Sequence, residues 1–131
     1  MKIEVSNGEI IDKYTILEFK LTEITDAEKL ANIQKEYKVL TPDVESIYKN
    51  CKDEVHLLKL QNDLLIINKK LWKIENDLRV CERKNDFRQT FIDLARAVYY
   101  TNDERSEIKK EINIFTGSFL VEEKSYESYK S

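Results

Sequence analysis

Residues 57–81, LLKLQNDLLIINKKLWKIENDLRVC, decide the fold of this chain. Apolar side chains recur through this stretch at alternating spacings of three and four residues. They are Leu57, Leu60, Leu64, Ile67, Leu71, Ile74, Leu78 and Cys81. An unbroken seam of this kind predicts one long helix that packs against other helices.

A polar column follows the same repeat. Gln61, Asn68, Glu75 and Glu82 recur every seven residues. On a helical wheel they fall between the seam and an outer apolar column of Leu58, Leu65 and Trp72. Polar groups inside an apolar arc must find partners, because an unpaired buried carboxylate is strongly disfavoured.

The composition indicates a single all-helical domain. The chain has 131 residues, of which only two are Gly and one is Pro, so few tight turns are available. Charged residues make up 36%, but the net charge is only −3, which argues against nucleic acid as a partner. The sequence has no secretory or membrane-spanning segment, which predicts a cytoplasmic protein with free Cys51 and Cys81.

Helix-start patterns divide the chain. We expect helix one over 7–24 and helix two over 26–40, then a long helix three over 43–84 that is well packed from Val55 onward. The polar stretch 49–54 could hold a break in helix three. Thr41 before Pro42 fits a helix start. Four capping-box patterns support these divisions: Ser6-x-x-Glu9, Thr25-x-x-Glu28, Asp86-x-x-Gln89 and Thr101-x-x-Glu104.

The sequence allows two divisions of the C-terminal half into helices. Helix four begins at Phe87, and residues 102–116 either continue it or form a fifth helix that ends at Gly117. Residues 1–5 are expected to be an extended lead-in. The tail, 118–131, is expected to dock and then become disordered from about Ser128.

The short link at 84–86 predicts a helical hairpin, 55–84 against 87–116, with helices one and two packed across it. With Asn85 as its centre, Glu82 faces Arg88, Asn68 faces Asn102, and Gln61 faces Lys109. Glu75 then faces the small Ala95, which leaves room beside the carboxylate. The tail acids Glu122 and Glu123 could fold back towards Lys109.

This register suggests a small-molecule pocket with an aromatic floor and convergent polar groups. The candidate ligand-binding residues are Trp72, Glu75, Arg96, Tyr99, Asn102, Arg105 and Lys109. Arg96 and Arg105 would hold an anion, and Glu75 would act as a base or hydrogen-bond partner. The alternative, weighted about two to one above a ligand site, is that these polar residues only fix the helical register.

Other motifs are weak. Cys51 and His56 supply at most two metal ligands, so no metal site is predicted, and isolated Gly8 and Gly117 make no phosphate loop or cofactor motif. Acidic pairs at the spacing used by all-helical nucleotide pyrophosphatases do not face inward on adjacent helices. Whether the protein is an enzyme therefore stays open.

The chain resembles a family of small all-helical bacterial proteins with no assigned activity. The matching segments cover nearly the whole chain, apart from a variable connection over 41–55. They include Ser6-Asn7-Gly8-Glu9, Leu71-Trp72, Cys81-Glu82-Arg83, Leu94-Ala95-Arg96, Thr101-Asn102-Asp103 and Leu120-Val121-Glu122-Glu123-Lys124. The resemblance implies an association with surface-polysaccharide and glycosyltransferase systems. The pattern of that family also includes polar residues, among them Asp103, that a domain used only for packing would not need. This implication favours a ligand site.

Two functional hypotheses remain. The first is a non-enzymatic binding or assembly module, with a protein partner or a homodimer formed through exposed apolar strips on helix three. The second is a protein that binds or transforms an anionic or sugar-derived small molecule at the polar column. Neither involves nucleic acid, a membrane or a bound cofactor.

Overall fold

The computed structural model describes residues 1–130, and this part of the chain contains four helices and no strand. They are α1 (Asn7–Glu23), α2 (Ala27–Asn50), α3 (Glu54–Arg83) and α4 (Gln89–Thr116). The predicted all-α class and the helical bundle are therefore confirmed.

A long antiparallel hairpin of α3 and α4 is the frame of the molecule, as the sequence predicted. The chain reverses at Asn85, whose φ of 53° lies in the left-handed region that asparagine tolerates. Helix α4 runs unbroken to Gly117, which adopts φ 64° and ends the helix in the predicted way. The Thr101 capping pattern is wrong as a helix start, because Thr101 lies inside α4 with 1% of its surface exposed.

The core lies at the open end of the hairpin. Ile11, Leu57, Leu60, Leu64 and Ile112 form one buried cluster. The predicted seam on α3 is buried at every position except two: Leu71 and Leu78 remain half-buried.

Helix α1 lies against both arms of the hairpin and runs antiparallel to α4, since Gly8 meets Asn113 and Asp12 meets Arg105. Gly8 is needed at this crossing. A Cβ there would lie 2.9 Å from Asn113 Oδ1 and would collide with the Lys109 carbonyl oxygen. Because α1 ends at Glu23, the part of the hairpin nearer the turn consists of two helices only.

The predicted boundary between helices two and three at Thr41-Pro42 is wrong. Helix α2 continues through Pro42 to Asn50, and the chain breaks instead over 51–53. Thr41 does not cap a new helix, because its hydroxyl donates back to the Tyr37 carbonyl at 2.8 Å. Burial of Val44 beyond the proline holds the helix together despite the missing amide donor.

Two other predicted caps are shifted. Asp26 rather than Thr25 caps α2, accepting from the Lys29 amide at 2.9 Å. Asp86 does not cap α4, which begins after Arg88 with no side-chain cap bond. Ser6 caps α1 as predicted and accepts from the Glu9 amide at 3.1 Å.

Residues 1–5 and 118–130 form no helix or strand. In the tail, Glu122 accepts a hydrogen bond from the Ser6 hydroxyl at 3.3 Å. Ser131, the last residue of the predicted disordered segment, lies outside the described residues. Within residues 1–130, no helix is both long enough and apolar enough to cross a lipid bilayer.

Candidate functional site

A buried polar network joins α1, α3 and α4. Its centre is Asp12, which is 1% exposed and accepts two hydrogen bonds from the guanidinium of Arg105, one of them at 3.1 Å from Nε. Asn68 of α3 donates through Nδ2 to Asp12 Oδ1 and to Thr15 Oγ1, both at 2.9 Å. The hydrogen bond to Asp12 raises the pKa of Arg105 above its ordinary value, so the guanidinium stays charged.

A second group of charges lies one turn closer to the start of α1. Lys109 Nζ donates to Glu9 Oε2 at 2.6 Å and lies 3.9 Å from the Glu122 carboxylate. The hydrogen bond from Lys109 holds the pKa of Glu9 below its ordinary value. The tail acid Glu123 contacts Lys110 at 2.9 Å, not Lys109.

These contacts come from a single polar stripe on α4, formed by Asn102, Arg105, Lys109 and Asn113. Three of the four side chains find partners on α1: Arg105 binds Asp12, Lys109 binds Glu9, and Asn113 accepts from the Gly8 amide at 2.6 Å. The stripe therefore faces α1. Within residues 1–130 the side chain of Asn102 makes no hydrogen bond, although it is half-buried.

The Asp12 carboxylate fixes the orientation of the Asn68 amide. An ionised carboxylate only accepts hydrogen bonds, so Asn68 must present its NH₂ group to Asp12. Its Oδ1 atom is left without a partner in the described chain. Since no buried side-chain polar atom there lacks a hydrogen bond, this oxygen must be open to solvent.

The solvent space beside Asn68 is an open groove of about 590 Å³ between α1, α3 and α4. It is lined by Ile16, Phe19, Lys20, Asn68, Leu71, Trp72, Glu75, Asn76, Arg79, Asn102 and Arg105. Three carboxamides, three cationic side chains and an indole therefore share one surface.

The groove has two chemically different ends. Asn68, Asn102 and Arg105 form its inner end, where the charge of Arg105 is balanced by Asp12. At the outer end, Arg79 contacts Glu75 at 2.8 Å in an exposed ion pair, and Lys20 has no ion-pair partner among residues 1–130.

An aromatic wall joins the two ends. Trp72 is 48% exposed, and Phe19 packs edge-on against it with ring centroids 5.2 Å apart. This packing fixes the indole and leaves much of its surface open to a ligand.

The structure brings four of the seven predicted site residues together: Trp72, Glu75, Asn102 and Arg105 line the groove. Lys109 lies outside it, bound to Glu9. Arg96 and Tyr99 also lie elsewhere. Arg96 donates to the Tyr100 hydroxyl at 3.4 Å, and Tyr99 packs against the Tyr129 ring with centroids 5.5 Å apart.

The polar contacts predicted across the hairpin do not form. Gln61 accepts from the Tyr48 hydroxyl on α2 at 2.6 Å, and Arg88 pairs with Asp86 at 3.0 Å. Asn68 and Asn102 line the same groove without bonding each other. Glu75 and Glu82, predicted to face inward, are exposed.

Sequence reasoning missed Asp12, which contacts both Asn68 of the polar column on α3 and Arg105 of the polar stripe on α4. A signal was present, since Gly8, Asp12, Thr15 and Phe19 follow the same four-three spacing as the core and all four are buried. A carboxylate within such a seam marks a buried ion pair.

A second cavity of about 380 Å³ lies between the tail and α4. Lys109, Lys110 and the tail acids Glu122 and Glu123 all line it. Within this cavity Lys110 pairs with Glu123 at 2.9 Å, and Lys109 lies 3.9 Å from the Glu122 carboxylate.

Comparison with known proteins matches residues 1–131 to one family model, described as "Family of unknown function (DUF6165)". The chain belongs to this family. No curated protein and no solved structure matches it.

Proposed function

We propose that this protein, a member of a family whose description names no activity, is a binding module for a small polar ligand. The ligand occupies the groove between α1, α3 and α4. One observation carries the proposal: among residues 1–130, neither Asn68 Oδ1 nor the Asn102 carboxamide has a hydrogen-bond partner, and both residues line a groove that also exposes Trp72.

The asymmetry within the α4 stripe supports this assignment. Where α1 covers the stripe, Arg105, Lys109 and Asn113 each have a partner that satisfies them. The Asn102 carboxamide lines the groove and has no such partner within residues 1–130. A ligand supplies the missing hydrogen bonds.

The test is a thermal-shift screen of sugars, sugar phosphates, nucleotides and nucleotide sugars, followed by titration calorimetry on each hit. A ligand that binds only the folded state raises the unfolding midpoint. Asn102→Leu keeps the volume and removes the amide, so it should weaken binding at least tenfold while the variant stays folded.

Asn62→Leu is the matched control, because Asn62 is exposed on α3 and its side chain makes no hydrogen bond within residues 1–130. It should bind as the parent does. If Asn102→Leu binds every hit with unchanged affinity, the groove is not the site.

The screen includes sugar nucleotides because the family resemblance implies a link with surface-polysaccharide and glycosyltransferase systems. That link and the cytoplasmic location remain predictions from the sequence. A hit among sugar derivatives would support the link.

Self-association is a second candidate function, and a separate observation favours it. Towards the turn of the hairpin, the stripe on α4 continues as apolar Phe91, Ala95 and Val98, and Leu71 and Leu78 lie half-buried on α3. Within residues 1–130, α1 ends at Glu23, before the level of Phe91 and Leu78. A second copy could complete a four-helix packing at this place.

Sedimentation equilibrium tests this candidate. Phe91→Glu should convert a dimer to a monomer, and Val39→Glu, an equal change at a 65% exposed position on α2, should not. A parent protein that is monomeric at all accessible concentrations would exclude it.

A further inference from the structure

We propose that the ligand of the groove is a phosphorylated sugar or polyol, with its hydroxyl groups at the inner end and its phosphate at the outer end. This inference rests on the proposed function and assigns the chemistry of the same site. It depends on which atoms each end offers.

The inner end favours hydroxyl groups over anions. Asn68 lines this end, and its Oδ1 is an acceptor without a partner among residues 1–130, since its NH₂ group is held by Asp12 and Thr15. An acceptor atom repels a phosphate or carboxylate oxygen and binds an O–H donor. The Asp12 carboxylate behind it balances the charge of Arg105, which leaves little positive field for an anion.

The remaining groups at the inner end suit a polyol. Two Arg105 nitrogens, Nε and Nη2, are committed to Asp12, and Nη1 is not. Asn102 supplies both a donor and an acceptor. Hydroxyl groups can donate to Asn68 and accept from Arg105, whereas a bare anion can only accept.

Trp72 favours a ring with an apolar face. Its indole is 48% exposed and is held by Phe19. The C–H face of a sugar ring can pack on such a surface while its hydroxyl groups reach the carboxamides on either side.

The outer end favours the anionic group. Lys20 is exposed without an ion-pair partner in the described chain, and Asn76 adds an amide donor. Arg79 is held only by Glu75, in a pair whose side chains are 73% and 48% exposed. Such an exposed pair contributes little free energy, so a phosphate can recruit Arg79 at small cost.

The separation of the two ends suits a ligand of this kind. The Arg79 guanidinium reaches back to Glu75, which is seven residues from Asn68 on the same helix and therefore about 10 Å from it along the axis. A phosphorylated sugar can therefore lie along the groove, either alone or as part of a longer sugar nucleotide. Both carry the same recognised chemistry.

The experiment compares matched ligand pairs by calorimetry: glucose with glucose 1-phosphate and glucose 6-phosphate, mannitol with mannitol 1-phosphate, uridine diphosphate with uridine diphosphate glucose, and inorganic phosphate alone. At least one phosphorylated sugar or polyol should bind tenfold or more tightly than its neutral counterpart and than inorganic phosphate. Raising the salt concentration should reduce this difference, because the outer end is exposed.

Variants then test the orientation. Lys20→Gln combined with Arg79→Gln should remove the tenfold advantage of the phosphorylated ligand and leave the neutral one unchanged. Lys35→Gln combined with Lys38→Gln removes the same charge from exposed positions on α2 and should leave both affinities unaltered. Asn102→Leu should weaken the neutral and phosphorylated ligands equally.

Three results would overturn the inference. Inorganic phosphate could bind as tightly as any sugar phosphate, the Lys20 and Arg79 variant could keep the full advantage, or no sugar derivative could bind. If a hit of another class binds and is lost in Asn102→Leu, the proposed function stands and only this inference fails. If no hit depends on Asn102, both fail.

Discussion

Asp12 and Arg105, on helices at opposite ends of the sequence, form a two-pronged ion pair in which the carboxylate is 1% exposed and the guanidinium side chain 28% exposed. The two partners therefore have unequal access to water. Asp12 depends on this pair and on Asn68, whereas Arg105 can reach the solvent of the groove. This inequality leads to a specific prediction for stability.

Arg105→Ala should lower the free energy of unfolding by about 3 kcal/mol, because it strands a buried carboxylate. Asp12→Ala should cost clearly less, since the freed guanidinium can turn towards solvent in the groove. Urea denaturation of both variants measures the difference. Equal losses, or a larger loss for Asp12→Ala, would show that the pair is not asymmetric in this way.

Gly8→Ala should separate α1 from α4. The added Cβ would meet the Lys109 carbonyl and lie 2.9 Å from Asn113 Oδ1, and such overpacking costs about 2 kcal/mol. It should also weaken the hydrogen bond between the Gly8 amide and Asn113, now 2.6 Å long. Chemical denaturation and amide hydrogen exchange at Gly8 provide the measurements.

The control for Gly8 is Gly117→Ala. Gly117 has open space around its Cβ position, so its substitution costs only the left-handed conformation, about 1 to 2 kcal/mol. Exchange at Gly8 should be unchanged in that variant. Faster exchange at Gly8 in both variants would mean that the crossing of α1 and α4 is not the point affected.

Tyr48 should make stability depend on alkaline pH. Burial raises the pKa of Tyr48 from its ordinary value of 10.0 to about 12, and its neutral hydroxyl donates to Gln61 at 2.6 Å. Because the folded state holds this proton more tightly than the unfolded state, the contribution is complete below pH 10. It is lost as the pH rises from 10 to 12.

Tyr48→Phe should therefore be less stable than the parent at pH 8 and should show a shallower decline between pH 10 and 12. The measurement is the thermal unfolding midpoint of both proteins across this range. Taking the difference between the two midpoints removes the effect of lysine titration, which both proteins share. Parallel declines would contradict the assignment to Tyr48.

Pro42→Ala should stabilise the protein. Pro42 is exposed inside α2 and cannot donate to the Lys38 carbonyl, and proline in a helix interior is about 3 kcal/mol less favourable than alanine. Part of that gain is offset, since proline also restricts the unfolded chain. We expect a net gain of about 2 kcal/mol in urea denaturation.

A loss of stability in Pro42→Ala would indicate that the packing of α2 requires a bend at the proline. Pro42→Gly separates the two effects. It restores the amide but adds backbone freedom, so its stability should fall between those of the parent and Pro42→Ala.

Much of the fold could be predicted, because the spacing of apolar residues and the turn residues indicate where helices run and where the chain reverses. The seam from Leu57 to Cys81 predicted α3, and Asn85 marked the reversal between α3 and α4. The error at Pro42 has a physical cause: a helix can cross a proline when burial beyond it, here at Val44, offsets one lost hydrogen bond.

The site was only partly predictable. Trp72, Glu75, Asn102 and Arg105 could be recognised as neighbours from the hairpin register, and they do line one groove. Lys109, Arg96 and Tyr99 belong elsewhere. The register places residues at the same level along two helices, but it does not say which side of each helix the third helix will cover.

The sequence by itself determined the seam of α3, the order of the helices and the reversal at Asn85, because periodicity and turn residues act between neighbours in the chain. Only the tertiary structure decided that α1 lies along the hairpin, with Asp12 between Asn68 and Arg105. That choice depends on contacts between distant residues. A carboxylate excluded from water needs donors from several directions at once, and no single stretch of the chain contains them.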